Sequence, residues 1–313
     1  MKKTTVLVTA ACGDVGASTV RSLQQEGIYD LVGTDISSYC PVLDELCHFF
    51  CVSSAHSPNY IYDLLDICKK TGSKFILPIS EQEIAVLSTK RKVFSDHGIH
   101  LVINAEKVLD TFFDKQKTSE FISKCGFSTP KSVPLSGYDG SWGFPLIVKS
   151  KSGCGSKRLW TAQDENDLSY LKLRDGGELL VQQLIGSADE EFTTGVFCDG
   201  QRCESITFQR ILGFGGLSRF VKFVEEPYLE EMSKRIAEKI NLVGAINIQT
   251  RKLGKEFLPF EVNPRLSSTV MFRTLFGFAD AHWWIQSFIG HSFHFTKKGG
   301  SVGIRCLVEK VFD

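Results

Sequence analysis

The chain has 313 residues, of which 36 are basic and 36 acidic, and it is 42% hydrophobic with 24 phenylalanines. That length and apolar content allow two or three compact units with real cores, and the balanced charge leaves no basic footprint for nucleic acid or an anionic membrane. No stretch approaches the ~20 apolar residues of a membrane span, and the ten cysteines are scattered without CxxC pairs; this predicts packing residues in a reducing cytoplasm rather than a disulfide framework.

Met1-Lys2-Lys3 ahead of an apolar run at 6–12 imitates a signal peptide, but the run is short, is broken by Thr9 and fits a first strand better. Strands predicted at 6–10, 31–34, 75–78 and 101–103 alternate with helices at 17–26, 60–70 and 83–97, the pattern of a parallel, Rossmann-like α/β unit. Gly13-Asp14-Val15-Gly16 follows the first strand without the full GxGxxG spacing, so a nicotinamide oxidoreductase would rest on an incomplete fingerprint. Glu81 and Glu83 read as acids at a helix N-terminus, with a cleft-facing role as the alternative.

From about residue 106 the pattern changes: a helix over 110–124 leads to Gly126 and Thr129-Pro130, and a helix over 164–171 sits between strands. Longer strands and helices follow from 191, the helices including 226–241 and 278–289. The apolar strand at 142–149 delivers Lys149 at its end. After it comes Ser150-Lys151-Ser152-Gly153-Cys154-Gly155-Ser156-Lys157-Arg158, a loop whose backbone N–H groups could close over phosphates, although it is not a GxxxxGK[ST] loop and a plain glycine-rich hairpin is the alternative. Gly213 to Arg219 forms another glycine loop, either lining an acceptor channel or simply connecting strands. His291 and His294 have metal-ligand spacing without acidic partners and read as a surface pair.

The run Phe257-Leu258-Pro259-Phe260-Glu261-Val262-Asn263-Pro264-Arg265 carries the chemistry. In a strand, alternate residues share a face, so Glu261, Asn263 and Arg265 point together while Phe260 and Val262 face the core and Pro264 ends the ladder. Carboxylate and amide oxygens suit Mg²⁺ and a guanidinium suits phosphate, whereas a solvated strand edge is the bland alternative. Ser267, Ser268, Thr269 and Arg273 follow closely enough to contact a substrate.

In their order along the chain, these motifs resemble the ATP-grasp superfamily, in the branch of the carbamoyl-phosphate synthase large chain. The resemblance runs through Asp114-Lys115-Gln116-Lys117-Thr118, Thr129-Pro130, Lys149 with its loop, Val181-Gln182-Gln183-Leu184-Ile185, Glu190-Glu191-Phe192-Thr193, Asn247-Ile248-Gln249 and Glu261 to Arg265. It implies an α/β and α+β architecture: a Rossmann-like pre-ATP-grasp domain at 1–105, then one ATP-grasp fold of two subdomains at 106–313, with a small lid-like part at about 131–190. It further implies that Lys115 and Lys149 bind the triphosphate, with Lys117 as a register competitor of Lys115, and that Ser152, Gly153, Gly155 and Ser156 cover it. By the same resemblance Gln182 or Gln183 offers adenine a carbonyl and Ile185 an N–H, Glu191 (or Glu190) holds the ribose hydroxyls, and Gln249, Glu261 and Asn263 hold the metal. Arg265 would stabilise an acyl phosphate. The implied activity is ATP- and Mg²⁺-dependent ligation (Mn²⁺ as the substitute ion) of a small carboxylate to an amine, releasing ADP and phosphate, by a cytoplasmic protein that assembles as a homodimer if it assembles at all. A kinase-like enzyme forming carboxyphosphate or carbamoyl phosphate, and a non-catalytic ATP-binding protein, are the alternatives. The acid, the amine and the roles of Gly13, Gly16, Arg158 and Arg219 are not encoded in any motif.

Overall fold

The computed structural model describes residues 3–151, 159–175, 179–306 and 308–311. Among these residues three sheets are formed. The first is parallel, with β1 (Thr4–Val8), β2 (Tyr29–Asp35), β3 (His48–Cys51), β4 (Phe75–Leu77) and β5 (His100–Leu101) in the order β3-β2-β1-β4-β5. Its helices are α1 (Asp14–Gln24), α2 (Tyr60–Thr71), α3 (Glu81–Ser88) and α4 (Arg91–Asp96). The order reverses between β1 and β4, so the loops leaving their C-terminal ends diverge and open a crevice. Gly16 lets α1 start close to that crevice, since a Cβ there would lie 2.1 Å from the Ala10 carbonyl oxygen.

The helix expected over 83–97 is broken in two. Ser88 and Thr89 hydroxyls each donate at 2.8 Å to the backbone carbonyls of Ala85 and Val86, local bonds that compete with continuation of the helix. Glu83 closes a capping box with Ser80 and also accepts from Thr9 Oγ1 at 2.7 Å and Tyr60 Oη at 2.9 Å, so it holds the first unit together instead of facing the cleft. Burial and this carboxylate push the Tyr60 hydroxyl well above its ordinary value.

A single helix over 110–124 is likewise replaced by α5 (Glu106–Phe112) and α6 (Lys115–Lys124). The break falls at Asp114, whose side chain caps α6 by accepting from the N–H groups of Gln116 (2.8 Å) and Lys117 (3.0 Å).

The second sheet is small and antiparallel: β6 (Ser132–Pro134), β7 (Leu146–Ser150), β8 (Leu159–Ala162) and β9 (Leu179–Gln183), ordered β6-β9-β7-β8. Helix α7 (Glu165–Asp175) closes a separate core on it through Leu168 and Leu171. The third sheet holds β10 (Glu191–Cys198), β11 (Cys203–Leu212), β12 (Ser218–Phe223), β13 (Gly244–Leu253), β14 (Glu256–Asn263) and β15 (Val302–Ile304), antiparallel in the order β14-β13-β10-β11-β12-β15.

Strand alternation divides this large sheet into two faces. Val196, Ile246, Ile248 and Val262 pack on one side in a cluster with Met232 and Ile236 of α8 (Pro227–Ile240). Phe197 and Phe208 on the other side join Val20 of α1, Phe272 of α9 (Val270–Leu275) and Trp283 of α10 (Asp280–Ser287) in one core shared with the first sheet. Buried polar contacts lock the same junction: Asn104 Nδ2 donates to the carbonyls of Ala245 (2.7 Å) and Pro264 (2.9 Å), and Ser22 and Thr274 hydroxyls meet at 2.6 Å.

Two further expectations change here. Cys198 and Cys203 lie directly opposite one another in the β10–β11 hairpin and are joined by a disulfide, so this pair is a covalent clasp, while the other described cysteines are free thiols. The β13–β14 register slips by one: Gln249 pairs with Glu261 but Thr250 pairs with Pro259, which leaves Phe260 as an extra residue in a bulge. Phe260 therefore lines the cleft rather than the core, whereas Val262 is buried as alternation requires.

Candidate active site

A cleft of ≈ 580 Å³ opens where the large sheet, the end of the small sheet and the β1/β4 crevice converge. Register explains its floor. Gln249 and Glu261 are cross-strand partners, Asn263 pairs with Asn247 two residues further along, and all three strand positions share one face. Glu261, Asn263 and Arg265 line the cleft together, and Arg265 Nη2 lies 3.3 Å from both Asn263 Oδ1 and Glu81 Oε1. Glu81 thus reaches the cleft's cation from the first unit, as the alternative reading of that acid allowed.

Lys149, at the end of β7, is 7% exposed and donates to Gln182 Oε1 at 3.0 Å. Desolvation pulls its ammonium down to about 8, opposed by the Glu261 charge and reinforced by Lys115. Lys115 enters the cleft from the first turn of α6, where its N–H bonds the Lys151 carbonyl at 3.2 Å, while Lys117 is exposed on the far side of that turn. Gln182, Gln183 and Ile185 border the same cavity. Ser152, Gly153, Gly155, Ser156 and Arg158 lie outside the described residues.

Glu191 borders the cleft too, but its surroundings are unexpected. Arg210 lies opposite it on β11 and Arg251 opposite it on β13, so one row across three strands reads Arg–Glu–Arg. Arg210 Nε and Nη2 donate to Oε1 at 3.0 and 2.6 Å, and Arg251 Nε and Nη2 donate to Oε2 at 3.0 and 2.9 Å. Arg251 also reaches the Ile185 carbonyl at 3.4 Å and lies over the Phe260 ring, tying this row to the segment after β9. Motif reading missed both arginines, because only the strand register brings them to Glu191.

The opposite wall comes from the first unit: Ala10 and the start of α1 around Gly13 and Gly16, with Ile79 and Ser80 after β4. Gly215 and Gly216 border the cleft as well, while Arg219, expected in the same loop, lies exposed on β12. Arg273, expected as a substrate contact, is instead buried at 1% exposure. It pairs with Asp280 at 2.7 Å and donates to Ser267 Oγ (2.8 Å) and Thr269 Oγ1 (2.9 Å), bracing the segment that carries Arg265. Burial pushes the Asp280 carboxyl up, against the pull of Arg273. Gly195 makes room for this arginine, because a Cβ there would lie 2.5 Å from Arg273 Cδ. His291 and His294 are both exposed, as a surface pair should be.

Among the described residues no group of three His, Cys, Asp or Glu could hold a metal ion alone. The donors on the cleft floor are hard oxygens with a single carboxylate, a set that fits Mg²⁺ only when substrate phosphates complete its shell.

Residues 7–102 match the family model of the PylC-like N-terminal domain, and residues 178–303 match that of the ATP-grasp in the biosynthetic pathway with Ter operon. The match to an ATP-grasp model thus lies in the C-terminal part of the chain. Over 58% of its length it is 25% identical to the carbamoyl phosphate synthase large chain of Campylobacter jejuni, of which it covers only 18%. The chain thus spans about a fifth of that relative. Its fold is shared with N5-carboxyaminoimidazole synthetase from Staphylococcus aureus complexed with ADP, at a TM-score of 0.72 and 15% identity over 97% of this chain and 81% of that one. It is also shared with the biotin carboxylase domain dimer of the Hydrogenobacter thermophilus 2-oxoglutarate carboxylase, in complex with MgADP, ADP and bicarbonate, at a TM-score of 0.73 and 16% identity over 95% and 72% of the two chains. The mixed architecture expected from the motifs, a parallel sheet followed by antiparallel sheets, is the one the chain adopts.

Proposed function

We propose that the chain is an ATP-dependent carboxylate–amine ligase that works through an acyl phosphate and releases ADP and phosphate. The observation that carries this reading is the convergence in one cleft of two lysines, the Gln249–Glu261–Asn263 oxygen row and Arg265, directly opposite the β1/β4 crevice. In this reading residues 1–105 form the pre-ATP-grasp domain and 106–313 the ATP-grasp domain, with 131–190 as its lid-like part.

The division of labour follows from the chemistry of each group. Lys149 and Lys115 are cations at the β7 end and at the start of α6, suited to neutralising a polyphosphate from two sides. Gln182, Gln183 and Ile185 border the same space, where backbone groups can read adenine, and Ser152, Gly153, Gly155 and Ser156, which the resemblance assigns to covering the triphosphate, follow β7 in the sequence. Glu261, Asn263 and Gln249 would hold Mg²⁺, or Mn²⁺ with its similar preference for oxygen. When bound, that ion neutralises charge on the transferring phosphoryl group. Arg265, steered by Glu81 and Asn263, lies between the phosphate region and the first unit, where it can orient the carboxylate and stabilise the acyl phosphate during attack by the amine.

The acceptor then sits in the β1/β4 crevice. The reading includes a cytoplasmic setting, where ATP is abundant, and a homodimer, the form of the biotin carboxylase domain with the same fold. Assaying ADP release with ATP and Mg²⁺ across panels of carboxylates and amines, with product masses, tests it. One acid–amine pair should yield ADP and an amide or peptide. Tight ATP binding without turnover on any pair would instead make the chain a non-catalytic nucleotide-binding protein.

A further inference from the structure

We propose that Glu191 is a positioning residue held shut by two arginines, and that this site does not read the sugar hydroxyls of its nucleotide through a carboxylate. The inference rests on the ATP reading above and concerns how the nucleotide is selected. An ionised carboxylate offers about four lone-pair sites. At Glu191 all are taken: Oε1 accepts two N–H groups from Arg210 and Oε2 two from Arg251, at 2.6–3.0 Å. The side chain is only 4% exposed, and the register of β11, β10 and β13 sets both arginines directly opposite it.

The pairing is built into the sheet rather than left to flexible side chains. Arg210 is 4% exposed and Arg251 is anchored further by the Ile185 carbonyl and the Phe260 ring. To accept from a ribose hydroxyl, Glu191 would have to give up an N–H donor of a buried ion pair, whose partner would then lose its bond. What the row offers a nucleotide is the remaining N–H surface of Arg251, 22% exposed. A guanidinium donates to any nearby oxygen, so it discriminates weakly between sugars with and without one hydroxyl.

Titration calorimetry with ATP, 2′-deoxy-ATP and 3′-deoxy-ATP in Mg²⁺ tests this on the unmodified protein. Both deoxynucleotides should bind within about fivefold of ATP. A loss greater than fivefold for either, with ATP binding intact, would overturn this proposal alone. Absence of binding by all three would overturn the ATP reading, and this proposal with it. A second arm uses Arg251→Met, which frees Glu191 Oε2 while Arg210 still neutralises the charge. In that variant selectivity for ATP over its deoxy analogues should rise at least threefold above the unmodified protein, a change that general loosening of the sheet would not produce. Unchanged selectivity in a folded Arg251→Met variant would also contradict the proposal.

Discussion

Glu191 and Glu261 lie on the same face of the same sheet, on β10 and β14, and their fates are opposite. Glu191 is enclosed by two guanidiniums and nearly inaccessible. Glu261 borders the open cleft beside Gln249, where its charge favours the ammonium form of Lys149. Partners across the strands, rather than residue type, decide whether a carboxylate is enclosed or left open to the cleft.

Substituting each acid in turn separates the two roles. Glu261→Ala should lower kcat for ADP release by about 10³-fold, roughly 4 kcal/mol of charge stabilisation, while chemical denaturation shows a stability within about 1 kcal/mol of the unmodified protein. Near-normal turnover would remove Glu261 from the phosphate site. Glu191→Ala should do the reverse to stability, costing about 3 kcal/mol in denaturant, because two buried guanidiniums lose their counter-charge.

Lys149 sharpens the contrast from the cationic side. Because its ammonium is pulled from 10.5 down to about 8, the unfolded chain holds more protons than the folded one between those values, and the protein's stability rises with pH across that window. Lys149→Met should therefore remove that pH dependence from the stability of the nucleotide-free protein, measurable in denaturant. The same variant should weaken ATP by roughly 10–100-fold and leave adenosine nearly unaffected. Equal losses for both ligands would point to general damage to the small sheet.

The smallest effect concerns pH. Phosphate favours the charged lysine, so ATP affinity should be flat below about pH 8 and fall above it, with uptake of up to one proton on binding as the free lysine becomes neutral. Calorimetry in buffers of different ionisation enthalpy reads that proton directly, and Lys149→Met should abolish it.

Much of this could be read from the chain itself. Alternation in the run from Phe257 to Arg265 was enough to place Glu261 and Asn263 together, because a strand's period of two is a local property, and Arg265, beyond the end of β14, borders the same cleft. Phe260 escaped that logic, since its direction depends on a bulge set by the partner strand β13. Arg210 and Arg251 escaped for the same reason: nothing near either residue points to Glu191, and only antiparallel register makes them neighbours. Helix breaks at Asp114 and at Ser88-Thr89 were written in side chains that cap or back-bond, yet the apolar pattern running through them suggested continuity. Arg273 sits close in sequence to β14, and only its burial against Asp280 shows that it braces the segment that carries Arg265.

The step that defines the proposed reaction is attack by a substrate carboxylate on the γ-phosphorus of ATP. Turnover with an ¹⁸O-labelled carboxylate and a reacting amine tests it most directly. Such attack yields ADP as the nucleotide product, with one ¹⁸O carried from the acid into inorganic phosphate. AMP as the nucleotide product, with the label in its phosphate and pyrophosphate released, would contradict it.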